Sequence, residues 1–108
     1  MKLEAARRIA LALPEAAEAP HFDFTSFRVR GKIFATSPPG GELLHVFVDD
    51  AERERLLELH PEFAEKLWWG KKVVGVRVIL AKADAAVVKA MLANAWRRKA
   101  PKALLERA

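Results

Sequence analysis

The fold turns on the stretch Phe22-Asp23-Phe24-Thr25-Ser26-Phe27-Arg28-Val29-Arg30-Gly31-Lys32-Ile33-Phe34-Ala35-Thr36. Its period is two. Phe22 and Phe24 flank Asp23, and Phe27 and Val29 alternate with Arg28 and Arg30. Successive strand side chains point to opposite faces, so this spacing sends the apolar set to a core and both arginines away from it. Gly31-Lys32 predicts a tight turn, and Ile33–Thr36 the returning strand. Pro38-Pro39-Gly40-Gly41 is a second turn signal, a fixed φ followed by residues that accept a positive one. Leu43–Val48 supplies a third strand. Strands joined this closely pair antiparallel, as a meander.

Working outward, the period becomes helical. Leu3, Ala6, Ile9, Ala10 and Leu13 recur at three- and four-residue spacing, which predicts a helix over 3–13 stopped by Pro14. Residues 14–20 read as an Ala/Glu/Pro connector. Asp49 or Asp50 opens a second helix, and Asp49 with Glu52 three residues on fits a capping box in its acidic form. Leu56, Leu57 and Leu59 give that helix its apolar side, and His60-Pro61 ends it. Phe63, Leu67 and Trp68 read as a short helical turn packed beside it. Val73–Leu80 is the next strand, with Val74, Val76, Val78 and Leu80 on one face and Val73, Gly75, Arg77 and Ile79 on the other. Asp84 caps a third helix whose buried stripe is Val87, Val88, Met91, Leu92, Ala95 and Trp96. Pro101 interrupts it, and Lys102–Arg107 forms a last turn. The expectation is one α+β domain over residues 1–108, in the order α-β-β-β-α-β-α. About four to five antiparallel strands would carry helices packed on one side.

Composition sets limits. The chain has 108 residues, 52% of them hydrophobic, which is enough for one core and excludes global disorder. It has no cysteine, hence no disulfide, thiol nucleophile or Cys-ligated metal site. Tyr and Gln are also absent and Asn94 is the single Asn, a scarcity of thermolabile amides that leans towards a thermophile or a GC-rich genome. No signal-peptide pattern opens the chain and no apolar run is long enough to span a bilayer, so a cytoplasmic protein is expected. The formal charge is +5, and its distribution is uneven: ten of the 19 cations but only two of the 14 acids lie in residues 71–108. An anionic partner such as nucleic acid, or a basic surface with no partner, both follow from that asymmetry.

Catalytic chemistry has little to work with. Ser26 is not in a nucleophile elbow, and no base is placed beside it. His21, His45 and His60 lack the spacing of a zinc site, and no glycine-rich loop leads from a strand into a helix. No cofactor and no metal are expected, and the chain reads as a non-enzyme. An enzyme acting on a small molecule would need an apolar pocket near His21 or His45. Binding is better supplied. Arg28, Arg30 and Lys32 lie on one hairpin, and Lys71, Lys72 and Arg77 on or beside the last strand. Two basic β-elements of this kind can contact phosphates in a salt-dependent, sequence-tolerant way. Solvent-facing cations that merely solubilise and protect sheet edges explain the same residues. Trp68-Trp69-Gly70 stands beside the two lysines, so one tryptophan is expected in the core and the other partly exposed, able to pack or stack. Arg97-Arg98-Lys99 complements the C-terminal dipole of the last helix and could also reach a phosphate.

The order of these motifs resembles the MmcQ/YjbR family of small bacterial proteins over nearly the whole chain. The resemblance rests on Ala12-Leu13-Pro14-Glu15, on Phe27–Ala35, on His60-Pro61, on Trp68-Trp69-Gly70-Lys71-Lys72, and on Trp96–Lys102. It implies an α+β fold similar to secretion-chaperone-like domains, with a curved antiparallel sheet. It also implies DNA binding, because relatives carry that label for the two β wings the fold presents. Here the wings would be the Arg28–Ala35 hairpin and the Lys71–Leu80 region. Arg28, Arg30, Lys32, Lys71, Lys72, Arg77, Arg97 and Arg98 would meet DNA, mainly its phosphate backbone, and Trp69 would pack or stack. The alternative partner is a protein or peptide bound by a chaperone-like module. No membrane role is expected, and both a monomer and a homodimer remain open.

Overall fold

The computed structural model describes residues 1–107. Helix α1 (Leu3–Leu11) leads to strands β1 (Ala16–His21), β2 (Phe24–Val29), β3 (Lys32–Ser37) and β4 (Leu43–Val46). Helix α2 (Asp50–Leu59), strands β5 (Ala64–Trp69) and β6 (Lys72–Ile79), a single 3₁₀ turn, and helices α3 (Ala85–Lys99) and α4 (Lys102–Arg107) follow. All six strands form one antiparallel sheet in the order β1-β2-β3-β4-β6-β5. The α+β class and the antiparallel sheet are as the sequence implied, and the strand count is six rather than four to five.

The two added strands correct two readings. Residues 16–21 are not a connector: they pair in register with β2, from Ala16 opposite Val29 to His21 opposite Phe24. Residues 64–69 are not a helical turn: they pair with β6 along their length. Two turns also shift. The β2–β3 turn is Arg30-Gly31, both at positive φ, with Lys32 already in β3. Phe22-Asp23 is the β1–β2 turn, so Phe22 is not a strand residue; it is 93% exposed at positive φ.

Register separates the two faces. Ala35, Val46 and Val76 are aligned across the central strands, as are Leu44 and Val78. These side chains are buried with Phe27, Val29 and Phe34 against Ala6, Ala10, Leu56, Val88, Met91 and Leu92 of the helices. That is the core. Each fully buried Leu, Val or Phe contributes roughly 1.5–3 kcal/mol by leaving water. The capping residues act as expected. The Asp49 carboxylate accepts from Glu52 N–H at 2.8 Å, and Asp84 accepts from Ala86 and Val87 N–H. Buried Trp96 satisfies its indole by donating to Pro14 O at 2.9 Å, which pins α3 to the turn after α1. Of the leucines expected on the core side of α2, Leu56 is buried and Leu57 partly so, but Leu59 is exposed. No helix is long and apolar enough to cross a membrane among the described residues.

Gly75 fixes how β6 seats on β4. A Cβ there would lie 2.2 Å from Val46 O, so only glycine allows this approach. β4 reaches no further than Val46, opposite Val76 on one side and Ala35 on the other. Both neighbouring hairpins therefore run on past its end.

Candidate nucleic-acid interface

Because β4 is antiparallel to both β3 and β6, those two strands run the same way. Each begins at its hairpin turn. The Arg30-Gly31 turn and the Gly70-Lys71 turn consequently emerge at one end of the sheet, on either side of the point where β4 stops. The face away from the core carries, in one row across the sheet, Ser26, Thr36, His45, Arg77 and Glu65. Over this face lies a cleft of about 830 Å³. Its walls are mainly apolar: Phe24, Ile33, Phe47, Leu67 and Val73, with Trp68 and Trp69 from the second hairpin. His21, Thr36 and His45 add polar groups, and Arg98, Lys99 and Asp50 complete the lining.

The cations expected to meet DNA divide into committed and free. Arg30 is held by Glu15, with Nη2 donating to Oε2 at 2.9 Å, and Glu15 also faces Arg107 at 3.3 Å. The pairing, led by the hydrogen bond from Arg30, keeps the Glu15 carboxyl below its ordinary pKa. Arg77 lies 3.3 Å from Glu65 on the neighbouring strand. The Arg28 guanidinium folds back to donate to Ser26 Oγ at 2.9 Å and to Pro20 O at 3.3 Å. Arg98 donates to Phe47 O at 2.7 Å, at the point where the chain leaves β4, and still lines the cleft. Arg97 points elsewhere, to a small hollow formed with Leu13, Pro14 and Leu105. Lys32, Lys71 and Lys72 are exposed, with no ion pair among the described residues.

The tryptophans depart from expectation. Neither is in the core: Trp68 is 57% and Trp69 78% exposed. Alternation buries one strand residue in two only where a layer covers one face. Beyond Gly75 the β5–β6 hairpin has passed the end of β4, and β5 is the outer strand of the sheet. Trp96, by contrast, is buried as its stripe predicted.

The sequence set the apolar pocket that a small-molecule site would need near His21 or His45, and the cleft is lined by both; Phe47 was not singled out. Its only signal was an aromatic residue at the end of a short strand. The His45 ring stands 6.0 Å from Phe24, and its Nε2 is buried without a hydrogen-bond partner. Burial, and then the nearby Arg77 charge, push its pKa down, so the imidazole is neutral at pH 7. The Ser26 hydroxyl is already committed, donating to Ala19 O at 2.7 Å.

The YjbR family model matches residues 11–98, and the chain belongs to that family. Among solved structures, the fold is similar to the crystal structure of protein DR2400 of Deinococcus radiodurans, described as carrying a DUF419 domain. The TM-score is 0.79 at 19% identity, over 98% of this chain and 86% of that one. No curated protein matches the chain.

Proposed function

We propose that this YjbR-family protein is a non-enzymatic nucleic-acid-binding domain that uses the sheet end where its two hairpins emerge. The observation that carries the reading is the common direction of the two turns, with Lys32 on one hairpin and Lys71 and Lys72 on the other, all unpaired. Ammonium groups held by no carboxylate are free to replace the counterions of a phosphate backbone. Arg98 and Lys99 at the cleft extend the same positive surface. Arg28, Arg30 and Arg77 shape the hairpins rather than reach outward, because each already has a partner. Ser26, next to Thr36 on the outer face, is committed to a backbone carbonyl.

Binding of a DNA duplex, followed across salt concentrations, tests this. With three to five phosphate contacts, log K should fall with log salt at a slope of about −2.7 to −4.5. Lys71→Glu with Lys72→Glu should lower the slope by about two and weaken binding tenfold or more. Absence of binding to duplex and to single strand alike at low salt, or binding untouched by the double reversal, overturns the reading. The exposed Trp68–Trp69 pair favours a second one, a protein or peptide partner. Salt-insensitive capture of a single protein would mark it.

A further inference from the structure

We infer that the cleft between the hairpins accepts an unpaired base, so that this protein prefers single-stranded nucleic acid to a duplex. The inference deepens the nucleic-acid reading and rests on it. In a duplex, both faces of every base are covered by its neighbours, and a protein meets only base edges and phosphates. An aromatic side chain can offer its face only to a base that has left the stack. This surface is built for faces rather than edges. Trp68 and Trp69, both exposed, line the cleft together with the apolar side chains of Phe24, Ile33, Leu67 and Val73.

Charge complementarity selects a nucleotide over an apolar peptide. Arg98 and Lys99 join the apolar lining, with Lys71 and Lys72 following Trp69 at the hairpin tip, and Asp50 is the one acid in that lining. A polar, anionic group attached to a flat, uncharged one describes a nucleotide within a strand. Aromatic platforms interleaved with cations are the general means of holding unpaired bases. His45 adds no charge to the lining, being neutral at pH 7. Its Nε2 is moreover unpartnered, so the imidazole is not tied into the sheet by a hydrogen bond there. The single-strand preference also fits how the cations are placed. Arg98 and Lys99 line the cleft and Lys71 and Lys72 stand together at the tip of one hairpin, whereas on the other hairpin Arg30 is bound to Glu15 and Lys32 alone is left exposed and free of an ion pair near the turn.

The test compares three probes on the full chain by fluorescence titration: a twelve-residue oligothymidylate, the same strand annealed to oligoadenylate, and free thymidine monophosphate. The strand should bind at least tenfold more tightly than the duplex at equal salt, and should quench exposed tryptophan emission. Trp69→Ala should cost the strand about tenfold and leave the duplex little changed, while Trp69→Phe should recover most of the loss. Trp69 is exposed, so its removal does not threaten folding. Lys71→Glu with Lys72→Glu should weaken strand and duplex alike. Equal or tighter duplex binding, or a Trp69→Ala loss shared equally by both forms, overturns this inference and leaves the broader reading standing. Thymidine monophosphate binding as tightly as the strand also overturns it, because the occupant is then a free nucleotide. Failure of all three probes to bind removes both.

Discussion

The two hairpins share their composition, and the fold treats them oppositely. Each carries a strand, a two-residue turn containing glycine, and a strand, with cations near the tip. The β2–β3 hairpin is braced on its outer side by β1, and its Arg30 is tied to Glu15, which also faces Arg107 of α4. The β5–β6 hairpin lies at the sheet edge. Its tip carries exposed tryptophans and two unpaired lysines. Basic residues on two hairpins therefore do not make two equivalent wings. The first commits its arginine to holding the domain together and leaves Lys32 free, and the second keeps two lysines and both rings for a partner.

The sharpest way to break this contrast is to unseat the second hairpin. Gly75→Ala places a methyl group against Val46 O, where the backbone approach leaves no room. Overpacking of this kind costs about 3 kcal/mol, and a fall in thermal midpoint by roughly 10 °C or more should show it. Gly31→Ala in the first hairpin is the matched control. Nothing lies within 4 Å of the added Cβ, so its effect comes only from the positive φ and should be about 1 kcal/mol. Equal losses at the two positions would mean that β6 does not depend on its contact with β4.

The next largest effect concerns binding. Lys71→Glu with Lys72→Glu should weaken nucleic-acid binding by tenfold or more, whereas Arg30→Ala should leave affinity nearly unchanged. Arg30→Ala should instead lower the thermal midpoint slightly, and high salt should erase that difference, because exposed ion pairs are screened. Loss of affinity on removing Arg30 would show that the Glu15 pair opens to a ligand and that the hairpins are equivalent after all.

How far this arrangement could be read from the sequence follows the strength of the local signals. The central strands and the three longer helices were legible because their apolar periods are clear and aspartates mark two of the helix starts, Asp84 for one and Asp49 or Asp50 for the other, which the structure resolves to Asp49. β1 was hidden by its residues. Ala16-Ala17-Glu18-Ala19-Pro20 has neither β-branched side chains nor alternation, and it becomes a strand only because the outer edge of β2 is there to pair with. Its composition suits an edge, where Pro20 needs no ladder partner for the N–H it lacks. β5 was misread because Phe63 and Leu67 stand four apart, as on a helix; long-range pairing with β6 overrode that local hint. At the site, the cations and Trp69 were visible as residue types. Which of them were free was not, because Glu15 and Arg30 meet only through a fold that brings residues 15 apart in sequence into contact. The exposure of both tryptophans depended on where β4 ends, which no local pattern records.

His45 sharpens the comparison at the boundary between the hairpins. Its folded pKa lies below the ordinary histidine value, so the unfolded chain binds more protons as pH falls through about 6.5. Stability is therefore full above that pH and declines below it. Wild-type protein should lose thermal midpoint between pH 7.5 and 5.5, and His45→Phe should lose less, since a ring beside Phe24 fills the same space without taking a proton. An identical pH response in the two proteins would show that the imidazole is not confined as its surroundings indicate.

The smallest effect is the most diagnostic of the difference between the hairpins. Glu15→Gln keeps the size and shape of the side chain and removes its charge. Arg30 then loses the carboxylate that holds it, and Arg107 loses the same partner. If the first hairpin offers only Lys32 because its arginine is committed, freeing that arginine should add a contact. Affinity for nucleic acid should rise about two- to threefold at low salt, and the salt slope should steepen by about one, the signature of one more phosphate contact. The gain should vanish in Glu15→Gln with Arg30→Ala. An affinity unmoved by Glu15→Gln would mean that the Arg30 hairpin stands off the ligand for reasons of distance rather than charge, and that one hairpin alone forms the interface.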